Sequence, residues 1–185
     1  MGESVAAPID RIIVLVGLMG AGKTSVGRWL AARLDVPFID TDAEIERAAG
    51  CTIAEFFARH GEEAFRDGER KVIARLLEGP PCVLATGGGA FMAPETREAV
   101  RAHGTSVWLR AELDVLAARL GRSRRKTRPL LANGDLRGTL QRLIDQRYPV
   151  YAEADIVVDS VDGPHEAVVV AVLEALARRR HEASA

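Results

Sequence analysis

Apolar residues along this chain fall into two patterns: short unbroken runs, and longer stretches where they recur every three or four positions. The runs Ile12 to Val16, Pro37 to Ile39, Val83 to Ala85, Ser106 to Leu109 and Ile156 to Val158 have strand length and predict five strands. Helical spacing predicts helices over Lys23 to Leu34, Ala43 to Ala49, Ile53 to His60, Glu62 to Leu77, Pro94 to His103, Leu113 to Leu120, Leu136 to Tyr148 and His165 to Arg180. Thr52 with Glu55 has the spacing of a capping box, and Pro94 stands where a first helical turn tolerates it. Strands alternating with helices predict a parallel sheet in one α/β domain. No repeat or low-complexity block interrupts the pattern.

The first strand runs straight into GLMGAGKT, Gly17 to Thr24, and a helix follows at once. That setting gives the GxxxxGK[ST] pattern its physical meaning. Glycines let main-chain N–H groups turn inward around an anion, and the helix N-terminus adds partial positive charge at the same place. Gly20, Ala21, Gly22, Lys23, Thr24 and Ser25 are therefore candidate nucleotide-phosphate contacts. Lys23 would reach the terminal phosphates, and the Thr24 hydroxyl would hold Mg2+.

Composition narrows the remaining possibilities. The chain has 185 residues and a net charge of -1, with 25 basic side chains against 26 acidic ones. One core fits that length, and no global basic field points to nucleic acid or an anionic membrane. Cys51 and Cys82 are too far apart for a CxxC site, and the four histidines are scattered, so neither a zinc site nor a disulfide framework is legible. MGESVAAPID lacks a signal-peptide pattern, and every apolar run is far shorter than the roughly 20 residues of a membrane span. These features predict a soluble, cytoplasmic protein, and a monomer is expected.

Phosphoryl transfer requires an acceptor held in line with the nucleotide, a metal, cations and exclusion of water. The second strand ends in Asp40-Thr41-Asp42, and ligands bind at the carboxyl ends of strands in open α/β sheets. Asp40 is a candidate for Mg2+ through water, and Asp42 for a substrate hydroxyl. Alternatively, Thr41 or Asp42 serves as a helix cap. The third strand runs into Gly87-Gly88-Gly89, where the entropic cost of ordering three glycines suggests close backbone approach to a ligand. Segment 121–134, GRSRRKTRPLLANG, carries five cations and fits neither period; it reads as a lid whose arginines close over phosphates. Arg66 stands four residues after Glu62 and Arg147 two before Pro149, so each alone has a local explanation.

Taken in order, GLMGAGKTSVG, FIDTDAEIE, EAFRDGE, LATGGGA, TRPLL and QRYPVYAEAD resemble the shikimate kinase family over about residues 11 to 180. The resemblance implies a P-loop kinase fold similar to the nucleoside monophosphate kinases, with a five-stranded parallel sheet in the order 2-3-1-4-5 flanked by helices. It implies a single domain over 1–185, with a substrate-binding helical segment at about 41–70 and a lid at about 119–134. The implied reaction moves the γ-phosphate of ATP, with Mg2+, to the 3-hydroxyl of shikimate in aromatic amino-acid biosynthesis. Matched residue by residue, Asp42 takes the family's substrate aspartate, Arg66 and Arg147 its carboxylate-binding arginines, and Gly88 with Gly87 and Gly89 its backbone anion contact. Arg128 matches the lid arginine, and Arg119 the arginine on the adenine side. Lys23, Asp42 and Arg128 are the catalytic candidates; whether Asp42 takes the hydroxyl proton or only orients the hydroxyl stays open. Ala85 stands where some members carry a serine near the metal waters, so no third side chain of the metal shell is expected.

Three rivals differ in class or substrate, of which a nucleoside monophosphate kinase is disfavoured because the acceptor segment offers Asp42 and not base-stacking aromatics. A gluconate-type kinase shares the scaffold, but Arg66, the glycine triplet and Arg147 together favour a cyclic carboxylate. A nucleotide switch needs a DxxG after a buried strand, whereas Asp135-Leu136-Arg137-Gly138 follows the lid, and no NKxD string exists.

Overall fold

The computed structural model describes residues 9–122 and 135–183. The expected lid lies outside them from residue 123 to its end, and with it Arg128. β1 (Ile12–Val16) is buried along its whole length. It is the middle strand, paired in parallel with β3 (Val83–Ala85) on one side and β4 (Gly104–Arg110) on the other. β2 (Phe38–Asp40) joins β3 and β5 (Ile156–Asp159) joins β4, which gives the order 2-3-1-4-5 that the resemblance implied.

An apolar run without alternation is what a strand needs when both faces of the sheet are covered. α1 (Lys23–Leu34) packs with α7 (His165–Ala183). α3 (Ile53–Leu77) packs with α2 (Thr41–Ala49) and α4 (Pro94–His103), and α5 (Leu113–Arg122) with α6 (Leu136–Tyr151). Each fully buried Val, Leu or Ile of β1 contributes about 1.5–3 kcal/mol of transfer free energy. The loops leaving the middle of the sheet therefore start from its most firmly held part. The register pairs Leu15 with Ala85 and Asp40 with Ala85. The carboxyl ends of β1, β2 and β3 are thus level, and their loops emerge side by side.

The structure departs from the sequence reading at several places. The cap of α2 is Asp40, whose side chain accepts from the Asp42 N–H at 3.1 Å, rather than Thr41 or Asp42. The predicted break between helices over 53–60 and 62–77 is, by contrast, present: Gly61, whose φ of 79° and ψ of 176° leave the helical path, separates the two halves of α3. The Thr52–Glu55 capping box is present. α6 continues through Pro149 to Tyr151, because a proline in the last turn removes only one helical N–H and leaves the bond from Ala152 N–H to the Tyr148 carbonyl intact. Asp135 caps α6 by accepting from Gly138 N–H at 2.8 Å, which accounts for the DLRG string. A 3-10 turn at Ala90–Met92 had no signal in the apolar pattern.

Candidate active site

The loop after β1 is shaped by backbone conformation. Gly17, Gly20 and Gly22 have φ of 143°, 83° and 94°, in the region that strains any residue with a Cβ. α1 starts directly after Gly22 with no side-chain cap and no acidic residue in its first turn, so its leading N–H groups and partial positive charge face the loop. Lys23 Nζ donates to the Gly17 and Leu18 carbonyls at 2.7 and 2.9 Å, which folds its ammonium back over the loop mouth. Ser25 is exposed in the first turn of α1, while Ala21 is buried and its carbonyl accepts from Ser160 Oγ at 2.8 Å.

Thr24 Oγ1 donates to Asp40 Oδ2 at 3.2 Å, while the other oxygen of Asp40 caps α2. Asp40 is therefore both a helix cap and a partner of the phosphate-loop threonine. A hydroxyl and a carboxylate at this spot are hard oxygen donors that suit Mg2+. Among the described residues no group of three or more His, Cys, Asp or Glu could hold a metal, so a cation here would complete its shell with phosphate oxygens and water.

Arg119 donates to the Gly20 carbonyl at 3.2 Å, Ser160 Oγ at 3.0 Å and the Val161 carbonyl at 2.6 Å. Its edge thus ties the phosphate loop to the segment after β5. Burial lowers its pKa, and the N–H edge is satisfied by neutral oxygens. The planar faces of the guanidinium are the part suited to stacking.

The glycine triplet is where the acceptor candidates meet. A Cβ on Gly87 would stand 2.8 Å from Asp42 Oδ1 and 3.0 Å from Glu69 Oε1. On Gly88 it would stand 3.2 Å from Arg147 Nη1, and on Gly89 2.7 Å from both Arg66 Nη1 and Nη2. Each glycine thus leaves room for a different charged side chain. Gly87 N–H donates to the fully buried Thr41 hydroxyl at 3.1 Å, and the Gly88 carbonyl accepts from Arg147 Nη1 at 2.8 Å. Arg66 and Arg147, 81 positions apart, come to adjacent glycines of one loop. Gly88 also lies beside the phosphate loop, since its Cβ would stand 3.6 Å from the Gly17 carbonyl oxygen.

Glu69 was not among the candidates. Its side chain is 3% exposed and it accepts from Arg66 Nη1 at 2.7 Å, whereas the expected partner Glu62 is 71% exposed and 3.4 Å away. Burial raises the Glu69 pKa, Arg66 opposes that rise, and Asp42 adds to it. Burial pulls Arg66 down, but hydrogen bonding and attraction to Glu69 outweigh it and hold the guanidinium above its ordinary value. The arginine is thereby locked in its charged form and pointed at the glycine loop. The RDGE string carried the only hint in the sequence: a carboxylate three residues after Arg66.

A family model described as shikimate kinase matches residues 19–177. The chain belongs to the shikimate kinase family. It is 62% identical over 169 residues to the shikimate kinase of Paramagnetospirillum magneticum, an alignment that covers 91% of this chain and 85% of that one. The solved shikimate kinase of Acinetobacter baumannii in complex with shikimate superposes with a TM-score of 0.88 at 36% identity, covering 96% of this chain and 98% of the other. A gluconokinase from Sinorhizobium meliloti superposes with a TM-score of 0.66 at 22% identity, over 96% of this chain and 97% of that one, and shares the fold alone. No helix among the described residues is long and apolar enough to cross a membrane.

Proposed function

We propose that this shikimate kinase family member transfers the γ-phosphoryl group of ATP to the 3-hydroxyl of shikimate, giving shikimate 3-phosphate and ADP in aromatic amino-acid biosynthesis. The observation that carries this reading is the meeting of Asp42, Arg66 and Arg147 around Gly87–Gly89, beside the phosphate loop. A small polyhydroxylated acid needs a carboxylate to accept from its hydroxyls and guanidinium forks for its own carboxylate.

The nucleotide phosphates lie against Gly20, Ala21, Gly22 and Ser25, and Lys23 swings from the Gly17 and Leu18 carbonyls onto the transferring group. Thr24 and Asp40 are the residues that would hold Mg2+, which when bound neutralises charge on the β- and γ-phosphate oxygens. The Arg119 guanidinium offers a planar face to the base, and the lid arginine that the family resemblance implies, Arg128, lies outside the described residues. Asp42 orients the acceptor hydroxyl. The bond from the γ-phosphorus to the bridging oxygen breaks as the bond to the acceptor oxygen forms, and the proton leaves to Asp42 or later to water. The protein works in the cytoplasm as a monomer on shikimate and ATP, with no nucleic-acid or membrane partner.

Replacing Arg66 or Arg147 by Lys tests the reading, since lysine keeps the charge and loses the fork. Loss of a charged hydrogen bond costs about 1.5–3 kcal/mol, so KM for shikimate should rise roughly ten- to hundredfold. The preference for shikimate over its carboxamide should shrink in each variant, and KM for ATP should stay put. Parent values in both variants would make these arginines surface charges and remove the substrate assignment.

A further inference from the structure

The turn of α6 beyond Pro149 carries a group that the reaction above leaves unused. Tyr151 is fully buried, and its hydroxyl donates to the Gly88 carbonyl oxygen, the same oxygen that accepts from Arg147 at 2.8 Å. A carbonyl oxygen has two lone pairs, so these donors fill its capacity. Burial pushes the Tyr151 pKa up to about 12, so the phenol stays a protonated donor throughout the neutral range.

The ring itself is held in place. Trp108 packs on Tyr148 and Tyr151 with ring centroids 4.8 and 5.9 Å away, and the Tyr148 hydroxyl is tied to the Ala111 carbonyl. Trp108 in turn lies against the phosphate loop, where a Cβ on Gly17 would stand 3.6 Å from its Cδ1. Tyr151 therefore reaches the Gly88 peptide from a rigid aromatic cluster rooted in the sheet. Arg147 reaches it from a half-exposed, longer side chain with more rotatable bonds.

We propose that Tyr151 is a positioning residue of the acceptor site: by fixing the Gly88 carbonyl, it sets the angle at which Arg147 offers its remaining N–H edge to the acceptor carboxylate. This rests on the acceptor-site reading above. The physical basis is that a planar guanidinium anchored through Nη1 turns with its anchor. A mobile Gly88 peptide would let the free edge swing, while a carbonyl held by a second, rigid donor removes that freedom before the ligand arrives.

Tyr151→Phe keeps the ring and removes only the hydroxyl. KM for shikimate should rise about three- to tenfold, the range for one neutral hydrogen bond, with kcat and KM for ATP within about twofold of the parent. A purely structural hydroxyl would lower the melting temperature without this split. The same change in an Arg147→Lys background should add less than twofold, because the hydroxyl acts through the arginine. An unchanged KM for shikimate in Tyr151→Phe, or an equal rise in both backgrounds, overturns the proposal. If Arg147→Lys alone leaves KM for shikimate unchanged, the acceptor-site reading itself fails, which separates the two outcomes.

Discussion

Gly89→Ala isolates the acceptor site from the fold. Gly89 has φ of -99° and ψ of -15°, a backbone conformation open to alanine, so the substitution strains no dihedral. Its only consequence is steric. The new methyl would stand 2.7 Å from Arg66 Nη1 and Nη2 and 2.8 Å from Cζ, against the 3.4 Å at which ordinary contact begins, so the guanidinium must retreat by about 0.7 Å. The retreating group is the far end of a flexible side chain, so the cost in stability is small. A bidentate contact of Arg66 with the proposed acceptor carboxylate would not survive such a shift intact. Loss of one charge-assisted bond is worth about 1.5–3 kcal/mol, which predicts a roughly ten- to hundredfold rise in KM for shikimate. KM for ATP should stay within about twofold and the melting temperature within about 2 °C. Gly68→Ala, on the same helix as Arg66 but with nothing within 4 Å of the added methyl, is the control and should leave KM unchanged. Steady-state kinetics with both substrates varied, beside a thermal melt, reads all of this. A Gly89→Ala enzyme with the parent's KM for shikimate would refute the placement of Arg66 at the acceptor.

Two further outcomes follow from the same geometry. Lys23→Ala should cut turnover by a factor on the order of 10² or more while the protein stays folded, because Lys23 is the first residue of α1 and lies outside the buried core; turnover within tenfold of the parent would contradict its role. Glu69→Gln bears on pH: the folded pKa of Glu69 is raised above 4.5, so its contribution to stability is full below that value and is lost as pH rises through the raised one. The urea midpoint of the parent minus that of the variant should therefore fall from pH 4.5 upward, and a difference that grows with pH would reverse the assigned sign.

What the sequence disclosed depended on whether a feature was local. β1 and β3 were legible because their apolar runs are continuous and their ends are marked by glycine or a buried threonine. The apolar pattern sets β2 one residue early, since Asp40 is polar yet pairs in the ladder with Ala85. The phosphate loop is contiguous and could be read outright. The acceptor site is not contiguous. Arg66 and Arg147 each had an adequate local explanation, and only the family resemblance joined them before the fold did. Glu69 and Glu62 are equally good partners for Arg66 by spacing, and burial, a tertiary property, decides for Glu69. Tyr151 lay beyond a proline that reads as the end of a helix, so the turn that delivers its hydroxyl to Gly88 had no sequence signal.

The central claim is the acceptor, and the most direct measurement is coupled ADP release with shikimate, gluconate and AMP assayed in parallel under the same ATP and Mg2+. The account predicts kcat/KM for shikimate at least about a hundredfold above either of the others, because Asp42, Arg66 and Arg147 are set around one glycine loop at positions that an open-chain acid or a nucleotide does not match. Gluconate or AMP turned over as efficiently as shikimate would contradict it.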